Sequence, residues 1–192
     1  MTARLVIMGP QGSGKGTQAA RLAARIGVPA ISTGDIFRAN VKGDTELGRR
    51  AKAIMDAGDL VPDEITNAMV ASRLAEQDAA AGFILDGYPR TVSQVTALDM
   101  VLAETGAALD GVVELTAPRE QLLDRLRKRA GSEGRDDDTE DAIRRRLEIY
   151  AEQTAPLTRS YAGRGLLVTA DGIGDVDAVT ERVLAALATH LG

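Results

Sequence analysis

The chain has 192 residues and a formal net charge of −5, from 23 basic and 28 acidic side chains. This length fits one domain with a sheet and its covering helices, and the acidic balance argues against a nucleic-acid partner, which requires a basic surface. No run approaches the ~18 apolar residues of a membrane span, and the N-terminal apolar stretch is too short for a secretory signal, so we expect a cytoplasmic protein.

Short apolar runs alternate with longer amphipathic ones along the chain. This alternation predicts a three-layer α/β/α fold around a five-stranded parallel sheet. The predicted strands are Leu5–Met8, Pro29–Ser32, Phe83–Leu85, Val112–Leu115 and Leu166–Thr169. The predicted helices between them cover residues 15–25, 63–78, 91–104, 119–130, 139–162 and 175–190. Because such sheets bind ligands at the carboxyl ends of their strands, the polar residues that follow each strand are the candidate site.

A glycine-rich loop follows the first predicted strand directly. Gly9, Gly14 and Lys15 satisfy the P-loop pattern G-x-x-x-x-G-K. Glycines let backbone N–H groups turn inward around an anion, and the next helix adds its positive N-terminal dipole. The alternative is a glycine-rich surface turn, which the strand before the loop and the helix after it disfavour. The pattern therefore predicts a phosphate-binding site with Lys15 as its mobile cation.

The loop departs from the general pattern at Gly16, where a Ser or Thr would offer its hydroxyl to Mg²⁺. Thr17 comes one position late. We therefore expect the metal to be held by phosphates, water and a carboxylate from elsewhere in the chain. Asp86, at the end of the third predicted strand, can bind Mg²⁺ through water. This form of the loop, in which Lys15 is followed by Gly-Thr-Gln, resembles the loop of nucleoside monophosphate kinases.

Two segments do not fit the simple alternation of strands and helices. Residues 32–61 lie in a connection that is longer than one crossover helix requires, and they are largely helical and polar. Residues 131–138 form a short, charged loop between two arginine-bearing helices. Both segments are predicted to close over a ligand.

Candidate phosphate-binding arginines follow the second and third strands. Ser32 and Thr33 can simply cap a helix, yet Arg38, one turn later, can point back to the strand end and meet a phosphate; the pattern leaves both interpretations open. After Asp86, the sequence Gly87-Tyr88-Pro89-Arg90 predicts a fixed turn, in which the Tyr88–Pro89 bond can be cis. An ordinary turn with a surface arginine is the alternative, but a preformed turn would position Arg90 well.

Further arginines lie on the two helices that flank residues 131–138. Arg125 and Arg129 are four residues apart and share a helical face, although most such stripes are simply solvated. Of the three consecutive arginines 144–146, at most two can face one site. The single histidine, His190, is expected at a solvated helix end rather than in a catalytic site.

Taken together, these segments resemble the adenylate kinases over essentially the whole chain. The matching segments, in order, are GPQGSGKGTQ, STGDIFR, GDLVPDE, GFILDGYPRT, the R-x-x-x-R helix and RDDDTEDAIRRRL. The resemblance implies reversible, Mg²⁺-dependent phosphoryl transfer from ATP to AMP that yields two ADP and serves adenine nucleotide homeostasis. It also implies a single domain, usually monomeric, with a core (1–31, 62–130 and 139–192), a mobile AMP-binding segment (32–61) and a short lid (131–138).

The resemblance also implies individual residue roles. The ATP site would comprise Gly12, Ser13, Gly14, Lys15, Gly16 and Thr17 at the phosphates, Arg125 over the adenine, Arg129 at the phosphates and the Gly174 carbonyl at the adenine. The AMP site would comprise Thr33, Arg38, Asp59, Leu60, Val61, Gly87, Tyr88, Pro89, Arg90 and Gln94, with Arg135 and Arg146 bridging the two nucleotides. The catalytic charges would be Lys15, Arg90, Arg129, Arg135 and Arg146. The lid is short and the chain lacks cysteine, so no zinc is expected.

Two other functions remain open from the sequence. UMP/CMP kinases share the loop and the arginines, but Thr33 and the segment Leu60-Val61-Pro62 favour AMP as the acceptor. A regulatory nucleotide-binding module would keep the fold without turnover, although the charged positions expected for phosphoryl transfer are present. No general base is needed, because the acceptor phosphate is already largely deprotonated at neutral pH. The residue pattern does not distinguish GTP from ATP as the donor.

Overall fold

The structure is a computed structural model that describes residues 3–132 and 139–192, with side chains for all of these except 129–132. Within this part of the chain, five strands form one sheet in the order β2-β3-β1-β4-β5. They are β1 (Arg4–Met8), β2 (Ala30–Ser32), β3 (Phe83–Asp86), β4 (Gly111–Thr116) and β5 (Leu167–Asp171). Every neighbouring pair is parallel, so all carboxyl ends meet at one edge.

Helices connect the strands and cover both faces of the sheet. They are α1 (Lys15–Ile26), α2 (Thr33–Lys42), α3 (Glu46–Asp56), α4 (Asp63–Leu74), α5 (Val92–Glu104), α6 (Arg119–Ser132), α7 (Glu140–Ile149), α8 (Pro156–Gly163) and α9 (Val176–Leu191). A 3₁₀ turn, Gln77–Ala79, follows α4, and a π-helical turn, Tyr150–Thr154, separates α7 from α8. None of the helices described is long and apolar enough to cross a membrane.

Two buried clusters lie on opposite faces of the sheet. Side chains alternate along a strand, so Val6 points to one face and Leu5 to the other. The cluster around Val6 includes Leu98 of α5 and Tyr161 of α8. The cluster around Leu5 is covered by α1 and α9. This arrangement confirms the predicted three-layer fold with its five-stranded parallel sheet.

A third, smaller cluster supports the segment predicted to bind the acceptor. Phe37 of α2, Ala51 of α3 and Val61 are buried together, and Ile65 and Met69 of α4 pack against them, so the α2–α3 hairpin shares this cluster with α4. The two helices approach very closely at Gly48. A Cβ atom built there would lie 2.1 Å from the Asn40 carbonyl oxygen, which only glycine can accommodate.

Side-chain caps fix where the helices near the carboxyl edge begin. The Ser32 hydroxyl accepts a hydrogen bond from the Asp35 N–H at 3.2 Å, and the Thr91 hydroxyl accepts one from the Gln94 N–H at 3.2 Å. Ser32 is therefore an N-cap, as one of the two sequence interpretations held. Because β2 and α2 adjoin at this cap, α2 starts at the edge where ligands bind in such sheets.

The structure differs from the sequence prediction at two helices. The helix predicted over residues 139–162 is divided by the π-helical turn, after which Pro156 starts α8 in a first-turn position. Pro156 has no N–H to donate to the preceding turn, so it can begin a helix but not continue one. The helix predicted over 63–78 ends at Leu74 and passes into the 3₁₀ turn.

Candidate active site

The carboxyl edge of the sheet carries a cleft with two halves. The loop half is lined by Gly12, Gly14, Lys15, Gly16, Thr17, Asp86 and Arg125. The segment half is lined by Thr33, Phe37, Met55, Leu60, Val61, Thr66, Gln94 and Arg146. Arg38, Gly87 and Arg90 line both halves, so the two halves form one continuous site.

The glycine-rich loop is shaped by close backbone contacts. A Cβ atom at Gly9 would lie 2.5 Å from the Leu115 carbonyl oxygen, and one at Gly12 would lie 2.9 Å from the Leu122 carbonyl oxygen. The loop therefore packs tightly between β4 and α6. Ser13 within it is only 1% exposed, and its Oγ has no hydrogen-bond partner among the described residues. Helix α1 begins at Lys15, and thus its N-terminal N–H groups face the cleft, as an anion site requires.

Lys15 and Arg125 supply positive charge to the loop half. Lys15 Nζ donates to the Pro10 carbonyl oxygen at 3.0 Å. The Arg125 guanidinium donates twice to the Gly172 carbonyl oxygen at 3.1 Å and lies 3.4 Å from that of Gly12. Arg125 thereby ties the phosphate loop to the turn after β5, which also contains Gly174. Its implied place over an adenine stays a prediction.

Asp86 ends β3 next to the start of α1. A Cβ atom at Gly16 would be 3.4 Å from Asp86 Oδ2, so the absent Gly16 side chain leaves room in front of this carboxylate. Asp86 also lines the loop half beside Thr17. One carboxylate that lines an open cavity beside the glycine-rich loop fits Mg²⁺, which keeps several waters and needs few protein ligands. Among the described residues, no group of three or more His, Asp or Glu side chains could hold a metal ion.

Arg90 is held by three hydrogen bonds at the junction of the two halves. Its N–H donates to Gln94 Oε1 at 2.7 Å, its Nε donates to the Gly87 carbonyl oxygen at 2.8 Å, and its own carbonyl accepts from Thr154 Oγ1 at 3.0 Å. The preceding Tyr88–Pro89 bond is cis. The turn therefore fixes the position of the guanidinium before any ligand arrives.

Several cations converge around Arg90. Burial lowers the pKa of its guanidinium, nearby Asp86 raises this pKa, and Arg146 and Arg38 lower it again. Arginine still remains charged at physiological pH. The site thus concentrates like charges that a polyanionic ligand would neutralise.

The segment half combines an apolar wall with polar groups. Thr33 Oγ1 donates to the Gly87 carbonyl oxygen at 3.1 Å, which joins α2 to the turn that carries Arg90. Arg38 pairs with Asp35 on the same helix, and its side chain is 29% exposed. Leu60 and Val61 supply apolar lining. An aromatic base with an attached phosphate fits such a combination.

Helix α7 closes the segment half from the other side. Arg146 donates to the Met55 carbonyl oxygen at 3.0 Å, whereas Arg145 forms an ion pair with Asp59 at 2.8 Å. Arg144 is exposed and lines neither half. Of the three consecutive arginines, only Arg146 lines the cleft, which agrees with the prediction that at most two of them can face one site. Asp59 also lines the segment half.

A family model described as Adenylate kinase matches residues 7–166. The chain belongs to the adenylate kinase family. An adenylate kinase of Kocuria rhizophila is 59% identical over 184 residues, which cover 96% of this chain and 98% of the relative. Adenylate kinases of Nocardioides sp. and Thermobifida fusca are 58% and 56% identical, with 96% of this chain covered in both cases and 96% and 97% of the relatives.

Membership of the adenylate kinase family makes this chain a nucleotide-binding enzyme of the kinase type. The family resemblance expected from the sequence motifs is thereby confirmed. Two of the predicted catalytic arginines cannot be compared with the structure. Arg135 lies outside the described residues, as do Asp137 and Asp138, and Arg129 lies in α6 with its side chain outside the described part.

Some residues of this adenylate kinase site were missed by sequence reasoning. Gln11 lines both halves of the cleft, and its place inside the glycine-rich loop was the available signal. Thr154 holds the Arg90 carbonyl from the π-helical turn, and the pattern around it predicted only a continuous helix. Asp63 contacts Gln94 from the start of α4, and its place in the GDLVPDE segment gave no sign of that contact. His190 lies in the last turn of α9 near Gly111, at the opposite edge of the sheet from the cleft.

Proposed function

We propose that this adenylate kinase family member catalyses reversible, Mg²⁺-dependent transfer of the terminal phosphoryl group of ATP to AMP, giving two ADP. It would thereby balance adenine nucleotides in the cytoplasm, as a monomer. The observation that carries the proposal is the continuous cleft in which Arg90 lies between the glycine-rich loop and a second half lined by apolar and polar side chains. Two anionic ligands that bind on either side of one arginine are what a transfer between two nucleotides requires.

The loop half is the proposed ATP site. The backbone N–H groups of Gly12 to Thr17 and the N-terminus of α1 would bind the phosphates, with Lys15 at the outermost of them. The adenine would lie toward Arg125 and the Gly174 carbonyl. Arg129, four residues after Arg125 in the sequence, would add a further phosphate contact.

The segment half is the proposed AMP site. Thr33, Leu60, Val61 and Gln94 line this half and would contact the adenine. Arg38 and Arg90 line it as well and would bind the phosphate. The turn Gly87-Tyr88-Pro89 sets the position of Arg90. Arg146, with Arg135 from the proposed lid, would bridge the two nucleotides.

Charge placement accounts for the proposed chemistry. The terminal phosphoryl group leaves ATP as its bond to the bridging oxygen breaks, and a phosphate oxygen of AMP forms the new bond in line with it. Lys15, Arg90 and Arg146 would stabilise the negative charge spread over the transferred group. The acceptor oxygen is already deprotonated at neutral pH, so the side chains need not remove a proton. Exclusion of water would favour transfer over hydrolysis.

Mg²⁺ fits this site beside Asp86, where it would neutralise phosphate charge when bound with the nucleotide. The proposal assigns the closing motion to residues 32–61, as the AMP-binding segment, and to 131–138, as the lid. The close approach of α2 and α3 at Gly48 supports a segment in which these two helices move as a unit. The core 1–31, 62–130 and 139–192 would stay rigid within the same domain.

The test is a coupled assay of ADP formation with Mg-ATP and either AMP, UMP, CMP or no acceptor. The proposal expects ADP formation that depends strongly on AMP. A preference for UMP or CMP would overturn the assignment of the segment half to adenine. Folded protein that binds ATP but turns over with none of the acceptors would be a nucleotide-binding module instead.

A further inference from the structure

Behind the segment half lies a chain of polar contacts that the proposed chemistry does not use directly. Asp63, the first residue of α4, accepts hydrogen bonds with both carboxylate oxygens. Gln94 Nε2 donates to Oδ1 at 2.7 Å, and Thr91 Oγ1 donates to Oδ2 at 2.8 Å. Gln94 Oε1 in turn accepts the Arg90 N–H at 2.7 Å. This series of hydrogen bonds therefore links Asp63, through the Gln94 amide, to the backbone of Arg90.

These contacts permit only one orientation of the Gln94 amide. If the amide were turned by 180°, its oxygen would face the Asp63 carboxylate and its NH₂ group would face the Arg90 N–H. Both contacts would then be repulsive, because two acceptors would face each other at Asp63 and two donors would face each other at Arg90. The Gln94 side chain is only 2% exposed, so water cannot relieve a wrong orientation.

The fixed orientation leaves defined hydrogen-bonding capacity for a ligand. A primary amide has two N–H donors and two acceptor lone pairs. Asp63 uses one donor and Arg90 uses one lone pair, which leaves one of each on a side chain that lines the segment half. A purine or pyrimidine edge is distinguished by its order of donors and acceptors, so the orientation of this amide decides which base it matches.

We propose that Asp63 is a positioning residue that sets base selectivity at the acceptor site by fixing the orientation of the Gln94 amide. This inference rests on the proposed function, since it assigns the segment half to the base of the acceptor. Asp63 does not line the segment half itself and acts through Gln94. Loss of its carboxylate would leave only the Arg90 N–H contact of this pair to orient the amide. The amide would then be held less firmly, and the acceptor base would be bound more weakly and with less discrimination.

A purely structural role of Asp63 makes a different prediction. Asp63 lies in the first turn of α4, where a negative charge stabilises the helix dipole. Glu64 occupies the same turn, is exposed and lies outside the segment half, which makes Glu64→Ala a matched control for the loss of that charge. Asp63→Asn keeps an oxygen for Gln94 Nε2, while its NH₂ group can donate to the Thr91 hydroxyl. Asp63→Ser keeps a good helix-starting residue but is too short to reach Gln94.

The experiment measures KM for AMP, KM for ATP, kcat and the ratio of kcat/KM for AMP to that for UMP in the wild type and these variants. Asp63→Ala and Asp63→Ser are expected to raise KM for AMP about tenfold and to lower the AMP-to-UMP ratio by a similar factor, as loss of a charge-assisted contact implies. KM for ATP should change less than about twofold. Asp63→Asn and Glu64→Ala should remain close to the wild type in both quantities.

A second readout does not depend on turnover. In ¹⁵N-labelled protein, the two Gln94 side-chain N–H signals should be shifted from free-amide positions and protected from exchange with water in the wild type. In Asp63→Ala they should move toward free-amide positions and exchange faster. Unchanged Gln94 signals and an unchanged KM for AMP in folded Asp63→Ala would overturn the inference, as would Asp63→Asn behaving like Asp63→Ala. Absence of AMP turnover in the wild type would instead refute the proposed function, and the amide signals would still test the link between Asp63 and Gln94.

Discussion

Lys15 is the side chain through which the phosphate loop can act on a transferred group. It begins α1, donates to the Pro10 carbonyl oxygen within the same loop and lines the loop half of the cleft. Lys15→Met keeps most of the side-chain length but removes the charge. We expect kcat to fall by about a thousandfold, because the charge acts where negative charge develops in the transition state. Coupled ADP-formation kinetics check this.

The matched control is Lys52→Met, which breaks an exposed ion pair with Asp56 on α3. Its kcat should equal that of the wild type. Melting temperatures of both variants should stay within a few degrees of the wild type, since neither lysine supports the core. A Lys15→Met variant with near-normal turnover would remove Lys15 from the mechanism.

Arg90 lies at the junction of the two halves, and its contribution should depend on the acceptor. Arg90→Ala removes the guanidinium but keeps the backbone contacts with Gln94 and Thr154. We expect kcat/KM for AMP to fall at least about a hundredfold, because the AMP phosphate would lose a charged hydrogen-bond donor. Arg164→Ala, which removes an arginine paired with Asp99 far from the cleft, is the control. Unchanged AMP kinetics in Arg90→Ala would contradict its placement at the acceptor.

Two buried tyrosines provide a test of hydrogen bonding at the residue scale. The Tyr88 hydroxyl lies 2.8 Å from Asn67 Oδ1 and 3.1 Å from the Gln94 carbonyl oxygen, whereas the Tyr161 hydroxyl has no partner among the described residues. Removing a satisfied hydroxyl leaves buried acceptors unpaired; removing an unsatisfied one does not. Tyr88→Phe should therefore lower the free energy of unfolding by about 1–2 kcal/mol, and Tyr161→Phe should leave it unchanged or raise it. Urea unfolding of both variants checks this, and equal losses would contradict it.

At the scale of elements, the contact between α2 and α3 depends on one glycine. A Cβ atom at Gly48 would overlap the Asn40 carbonyl group, so Gly48→Ala must force the two helices apart. We expect a loss of about 1–3 kcal/mol in the stability of this segment, as for other overpacked positions. Faster amide hydrogen exchange in residues 33–56 than in the sheet would locate the effect.

Gly163→Ala is the matched control for that substitution. Gly163 ends α8, and a Cβ atom there would meet nothing within 4 Å. The same chemical change should therefore stabilise the protein by up to about 1 kcal/mol, through reduced backbone entropy of the unfolded chain. A Gly48→Ala variant as stable as Gly163→Ala would contradict the close approach of α2 and α3.

The sequence predicted the elements with strong local signals and failed where distant contacts decide the structure. Each strand was found because a short apolar run between polar ends has few other interpretations. The division of residues 139–162 was missed, although Pro156 marked it, because the surrounding apolar spacing is helical on both sides. Likewise, the roles of Asp63 and Thr154 follow from contacts across 31 and 64 residues of chain, which no local pattern encodes.

At the scale of the whole molecule, the sheet that positions the site also carries a half-buried carboxylate on β4. Glu114 on β4 lies opposite Met8 of β1 and Thr169 of β5. Burial raises the pKa of this carboxyl group, and a hydrogen bond from the Thr169 side chain lowers it only in part. Glu114→Gln would keep an oxygen that accepts from Thr169 and would remove the charge, so it isolates the cost of ionising this side chain within the sheet.

The direction of the pH dependence follows from the raised pKa. Below the unfolded-state pKa of glutamate, about 4.3, Glu114 is protonated in both states and its ionisation costs the fold nothing. As the pH rises from there through the raised folded-state pKa, the unfolded chain releases its proton first, so the wild type loses stability. Above the folded-state pKa the loss is complete. The free energy of unfolding of Glu114→Gln, minus that of the wild type, should therefore grow with pH and then level off.

Urea unfolding of both proteins from about pH 4 to about pH 8 measures this difference. Every other ionisable group is common to the two proteins, so its titration cancels unless it is coupled to Glu114. A difference that stays constant with pH would mean that Glu114 ionises equally easily in the folded and unfolded states. A difference that shrinks as the pH rises would mean that the folded sheet favours the charged form, contrary to the burial of this side chain between β1 and β5.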